Sequence, residues 1–396
     1  MRCPIWYRAV VHRLIACVLA VAAAVVAAAS PPASPPAAPV EIVPGVTREM
    51  ITVPFNAGAK GLYRLEAMLV RQRAPGRYPL AIISHGSPRS GEDRSAFTPT
   101  TNTAIAIEFA RRGWATLVLM RRGYGESEGP WSEGYGSCND PDYESAGRAS
   151  AEDIRAAIRF ATDHGPSLAS GGVTIDASRV LLVGVSAGGF ASVAAAADRL
   201  PGLVGVINFA GGRGSQSADE VCKDDRLVMA YATYGRTATP PTVWIYAAND
   251  HFFGPALAKR MFAAFQKSGG HGELVMTPAF GTEGHDQFSE AGIPNWRDIV
   301  DRFLRANQLP TWTAAIADPP PTLPDPPGLS ARGRSEFQRY LASENFDKAF
   351  AAGDGGAYSW RTGRRTGEAA AAAALQGCAA VGAHCRVYAA DNRLAK

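Results

Sequence analysis

The chain has 396 residues, is 46% hydrophobic and carries 40 Lys+Arg against 36 Asp+Glu. That is enough apolar sequence to bury a large core and too little charge imbalance to recruit nucleic acid or an acidic membrane, so disordered polymers and polyanion binders are excluded.

The first thirty residues bear Arg2, Arg8 and Arg13, then an apolar run over 14–26, then Ala27-Ala28-Ala29. A basic start, an apolar centre and small-residue cleavage sites read as a secretory signal over 1–29, with export to a periplasm or the exterior. An uncleaved anchor helix competes, although the run is short for a span. Leu14-Ile15-Ala16-Cys17 looks like a lipoprotein box, but its basic residues precede it and apolar sequence follows it, the reverse of the order needed. Losing the signal removes Cys3 and Cys17 and leaves Cys138, Cys222, Cys378 and Cys385. An even count in an exported chain predicts disulfides, and proximity pairs Cys378 with Cys385 and Cys138 with Cys222.

After a Pro/Ala-rich segment (30–45), residues 46–308 alternate short β-branched runs with longer helix-like ones. Strands are predicted at 65–71, 80–84, 115–120, 180–185, 204–209, 242–247 and 273–277, with helices at 103–112, 151–163, 187–199, 255–267 and 296–307. This is an α/β pattern, a doubly wound and mostly parallel sheet, whose sites lie at the carboxyl ends of the strands. Residues 129–149 and 210–241 read as long insertions at those ends. The run from 309 to 327, containing DPPPTLPDPP, reads as an extended linker. The remaining 328–396 make a small α+β module with helices at 335–350 and 367–380 and strands at 357–360 and 385–389, which a disulfide would stabilise.

The pattern Gly-x-Ser-x-Gly occurs twice, as GESEG around Ser127 and GVSAG around Ser186. A nucleophile elbow needs a buried strand running into the serine and a helix leaving it. VLLVGVSAGGFASVAAAADRL supplies both, whereas GESEG follows a strand that ends early and precedes the turn-like GPWSEGYGS. Glu126 and Glu128 would also oppose an oxyanion nearby. Ser127 is therefore expected in a loop.

RRGYGESEG, together with ISHGSP at 83–88, GVSAGG at 184–189, YAANDHFFGP at 246–255 and EGHDQF at 283–288, resembles the dienelactone-hydrolase and prolyl-oligopeptidase-like branch of the α/β-hydrolase superfamily. The resemblance covers about 260 residues and implies a serine hydrolase. Dienelactone hydrolases carry cysteine at the elbow where this chain has Ser186, which points to a carboxylesterase. Prolyl-oligopeptidase-like enzymes carry a large N-terminal propeller, for which this chain has no room, so short-peptide hydrolysis stays as the alternative.

A serine nucleophile needs a histidine base. Of seven histidines, His12 leaves with the signal, His164 and His271 sit away from the carboxyl edge, His384 lies beyond the linker and His85 closes a strand. His251 and His285 remain, and His285, after the last strand, matches the family position. Asp250, directly after VWIYAA, gives the chain order Ser186, Asp250, His285; the competing readings are a helix N-cap role for Asp250 and Asp286 as the acid. The oxyanion would be held by backbone N–H groups of Ala187 and Ser87. Trp131, Tyr135, Tyr231 and Tyr234 are candidate pocket residues in the two insertions, which a Cys138–Cys222 bridge would join. There is no H-E-x-x-H and no Walker loop, so no metal or nucleotide cofactor is expected, and the ligand is a small-molecule ester. The reading of a different class is an inactive scaffold whose terminal module contacts a protein or the envelope.

Overall fold

The computed structural model describes residues 39–165, 171–312 and 320–395. The signal expected over 1–29, residues 30–38 and the middle of the proline-rich linker lie outside the described residues. Those described fall in one compact unit, Pro36–Lys396, and no described helix is long and apolar enough to cross a membrane.

Nine strands form the central sheet: β1 (Val40–Val43), β2 (Val46–Asn56), β3 (Leu62–Gln72), β4 (Gly76–Ser84), β5 (Ala115–Leu119), β6 (Val173–Val185), β7 (Leu203–Phe209), β8 (Thr242–Ala247) and β9 (Gly272–Thr277). Their order is β1-β2-β3-β5-β4-β6-β7-β8-β9. The first three run antiparallel to their neighbours, and β4 to β9 are parallel. Runs such as LAIIS, ATLVL and TVWIYA are buried along nearly their whole length because helices cover both faces of a parallel sheet.

One face packs on α2 (Tyr143–His164), α3 (Ala187–Ala196), α4 (Asp224–Gly235) and α5 (Pro255–Lys267), and the other on α1 (Thr103–Arg111) and α6 (Ile293–Ala306). From β4 the chain turns to β5 on one side, and from β6 it turns to β7 on the other. The crevice between the ends of β4 and β6 is therefore a topological switch point, where open α/β sheets hold their ligands. This is the α/β-hydrolase fold.

Two regions read as insertions contain helix. Helix α2 begins at Tyr143, eight residues before the expected Ala151, because Asp142 caps it by accepting from the Ser145 N–H at 2.9 Å. Helix α4 lies wholly inside 210–241. The Cys138–Cys222 disulfide ties these regions together, and Cys378–Cys385 closes a loop in the terminal module.

That module has its own apolar clusters and a four-stranded antiparallel sheet. It comprises α7 (Ala331–Ala342), β10 (Ala349–Ala352), β11 (Tyr358–Arg361), α8 (Gly367–Ala379), β12 (Arg386–Ala390) and β13 (Arg393–Leu394). The helix expected over 335–350 stops at Ala342. Beyond it, buried Lys348 donates to the carbonyls of Tyr340, Leu341 and Ser343, and Phe350 joins a strand paired on both sides.

The module is pinned to the sheet domain at several points. Arg48 pairs with Asp347 at 2.6 Å, Asn345 Oδ1 accepts from Ala104 N at the start of α1, and Thr100 Oγ1 donates to Arg364 O. Arg365 pairs with half-buried Glu66 and donates to Phe97 O at 2.8 Å. An Arg365→Met substitution should leave the Glu66 carboxylate without its cation and cost about 2 kcal/mol in a thermal or urea unfolding experiment.

Candidate active site

Ser186 stands between β6 and α3 with φ 55 and ψ −124, a backbone conformation that side chains rarely adopt and that the nucleophile elbow requires. The glycines around it are steric necessities. A Cβ on Gly184 would lie 2.2 Å from Gly188 O, and one on Gly188 only 2.0 Å from Ser84 O, so helix, strand and the β4 edge could not approach. Ser186 Oγ makes no hydrogen bond among the described residues and opens onto a groove that it lines together with His285.

His285 comes from a short 3-10 turn, Gly284–Gln287, after β9. Its Nδ1 lies 3.1 Å from Asp250 Oδ2, and its ring stacks on Phe252 with centroids 4.1 Å apart. Asp250 is buried at the end of β8, and its Oδ1 accepts from the N–H groups of Phe252 and Phe253, both at 2.8 Å. With one oxygen held by the backbone, the other is aimed at the imidazole. Asp250 is not the cap of α5, which begins at Pro255 behind Gly254 without a side-chain cap. Asp286 makes no hydrogen bond to His285, and burial raises its pKa. His251 is exposed and pairs with Asp219 at 3.0 Å.

His85 is sealed in. Its Nδ1 is 2.6 Å from Gly86 O and its Nε2 accepts from Arg121 N, which assigns the neutral ring with the proton on Nδ1. Burial, and after it the Arg121 guanidinium, hold its pKa well below the usual range. The ring thus fixes the turn that presents Ser87. A Cβ on Gly86 would sit 3.2 Å from Ser186 Cβ, so this turn passes directly over the serine. Ser87 and Ala187 both line the cavity beside Ser186.

Ser127 is elsewhere. Its Oγ donates to Met120 O at 2.7 Å and accepts from Glu66 N at 2.9 Å, while Glu128 pairs with Arg64. This GxSxG serine stitches a loop to β3.

Two concavities meet at Ser186. The groove, about 630 Å³, runs past His285, Phe97 and Phe288. The cavity, about 420 Å³, is lined by Trp131, Tyr135, Arg89, Arg94 and Arg213. Tyr231 and Tyr234 are not in either. They lie on the inward face of α4, where Tyr231 packs on Phe190 and Trp244 and Tyr234 donates to Glu144 O. The segment expected as a pocket-lining insertion holds helix α4, and its helical spacing turns both tyrosines into the core.

Sequence reasoning also missed a buried ion cluster behind the cavity. Arg121 and Glu133 are fully buried and paired, and Arg213 Nη1 donates to Glu133 Oε2 at 3.0 Å. Burial by itself would raise the Glu133 pKa, but Arg121 and Arg213 outweigh it and bring it down to about 2. Arg121 also donates to Ser84 Oγ and His85 O, so the cluster braces the end of β4. The signal available was an arginine placed directly after the apolar strand TLVLM; its partner, twelve residues on, was not legible.

The family model described as X-Pro dipeptidyl-peptidase (S15 family) matches residues 60–244, which include Ser186 and end before Asp250 and His285. No curated protein matches the chain. Among solved structures, an esterase of Pyrococcus furiosus is similar at 14% identity and TM-score 0.46, over 65% of this chain and 92% of that one. A putative dienelactone hydrolase of Klebsiella pneumoniae aligns at 14% identity and TM-score 0.43, over 66% and 98%. An acetyl xylan esterase of Paenibacillus aligns at 18% and 0.46, over 68% and 87%.

Proposed function

We propose that the chain, an α/β hydrolase by its fold, is an exported serine hydrolase that cleaves carboxylic esters with Ser186, His285 and Asp250. The observation that carries this is the Asp250–His285 pair opening onto the same groove as a strained, unpartnered Ser186. In this reading His285 Nε2 takes the Ser186 proton as Oγ attacks the ester carbonyl, and the N–H groups of Ala187 and Ser87 receive the oxyanion. His285 then returns the proton to the departing alkoxide, leaving an acyl-enzyme that water opens by the same steps. Apo geometry leaves the Ser–His contact to be made when substrate binds.

Ester is favoured over peptide by the cavity's charge. A dipeptidyl peptidase must hold a peptide N-terminal ammonium next to the acyl site, and no carboxylate is among the residues lining this cavity, where three arginines stand. The two disulfides suit an oxidising compartment and support export.

The test is to treat the protein with a fluorophosphonate probe and to compare p-nitrophenyl esters with Gly-Pro-p-nitroanilide. Labelling on the peptide containing Ser186, with ester turnover at least 100-fold above the anilide, is expected. Absence of both labelling and turnover would leave the inactive-scaffold reading in its place.

A further inference from the structure

The cavity beside Ser186 is built around arginines that the triad does not use. Arg89 lies on the Phe252 ring at 3.7 Å and donates to Ser215 Oγ at 2.9 Å. Arg94 lies on the Trp131 ring at 4.2 Å, and Arg213 approaches the same ring at 5.7 Å. Stacking of this kind holds a guanidinium by its face and leaves its N–H edge for a ligand. Neither Arg89 nor Arg94 forms an ion pair among the described residues, although Glu92 and Asp93 flank Arg94 on the same turn.

Behind them, the buried cluster holds two cations, Arg121 and Arg213, against one carboxylate, Glu133. It carries one positive charge more than it neutralises, and Arg213 Nε is buried with no hydrogen-bond partner. Buried guanidinium N–H groups without acceptors are costly. A site built this way gains most from an anion.

Which end of the substrate carries that anion follows from the triad. His285 must give its proton to the leaving group, so the leaving group lies in the groove with His285, Phe97 and Phe288. The acyl chain then extends into the arginine-lined cavity. We infer that the enzyme acts on esters whose acyl part ends in a carboxylate, that is, half-esters of dicarboxylic acids, with Arg94 and Arg213, which line the cavity and not the groove, as specificity residues; Arg89 lines both. This rests on the serine-hydrolase reading and goes beyond it in naming the substrate class.

The test compares mono-p-nitrophenyl adipate with methyl p-nitrophenyl adipate, in which the far carboxylate is masked as its methyl ester. The anionic ester should be preferred about 30-fold in kcat/KM at low salt, the gain expected of hydrogen bonds to a charged group, and the preference should shrink in high salt. In Arg94→Gln, whose side chain lines the cavity and takes no part in the buried cluster, the preference should fall several-fold, with unfolding curves run alongside. A carboxylate on the leaving group, in 4-carboxyphenyl butyrate against phenyl butyrate, should bring no such preference. A preference near one for the adipate pair, or an equal one for the leaving-group pair, overturns the inference while leaving the hydrolase standing. Failure of both adipates together with absence of fluorophosphonate labelling sinks the underlying reading instead.

Discussion

Ser186→Ala is expected to lower kcat by about 10⁴- to 10⁶-fold, with the remainder coming from substrate binding and the oxyanion donors alone. The serine has a positive φ and lines a groove together with His285, as a nucleophile needs. The paired control is Ser127→Ala, which sits in the same sequence pattern. Its hydroxyl bridges Met120 O and Glu66 N, so its loss should cost about 1–3 kcal/mol of stability and leave turnover within about threefold of wild type. Steady-state kinetics on p-nitrophenyl butyrate and urea unfolding of both variants separate the two roles. A Ser127 variant that lost turnover without loss of stability would reverse the assignment.

Glu133→Gln is the second large effect, and it acts on folding. The substitution leaves the buried guanidinium of Arg121 and the nearly buried one of Arg213 facing an uncharged amide, and removing one member of a buried ion pair costs about 3–5 kcal/mol. The pH dependence has a definite sign. The folded-state pKa of Glu133 is about 2 against 4.5 for the ordinary side chain, so its contribution is complete above pH 4.5 and is lost as pH falls towards 2. Asp153, which burial raises to about 6 despite Arg122, works in the opposite sense between pH 6 and 3.8, so the diagnostic window lies below pH 4. Wild type should lose stability steeply there, and Glu133→Gln, already weakened, should show a flatter profile in chemical denaturation. Equal slopes would mean that the cluster is not what acid dismantles.

Much of the sheet was legible because its strands are buried on both faces and so appear as unbroken apolar runs bounded by turns. The elbow was legible for a related reason: only small residues permit the contact between α3 and the end of β4, and VGVSAGG states that requirement in the chain itself. The antiparallel edge was harder. β2 is half-buried over much of its length with polar residues among its positions, so only the hairpin register with β3 makes it a strand. Helix α2 starts inside the stretch taken as an insertion, and its Gly147 is where Phe190 and Tyr234 press closest, any Cβ there lying 2.2 Å from the Tyr234 hydroxyl. The stretch around Phe350, expected as helix, is a strand because it pairs on both edges.

The sequence by itself determined the alternation of strands and helices and the strand-turn-helix setting of Ser186, the proposed nucleophile, because each is written in residues close together along the chain. The tertiary structure alone decided what surrounds the serine. Arg89, Arg94, Arg121, Glu133 and Arg213 span more than a hundred residues, and the Arg365 contact with Glu66 spans 299. Charge pairs and pocket walls are made between segments that local pattern does not relate, since burial of a charge depends on which distant partner folding brings to it.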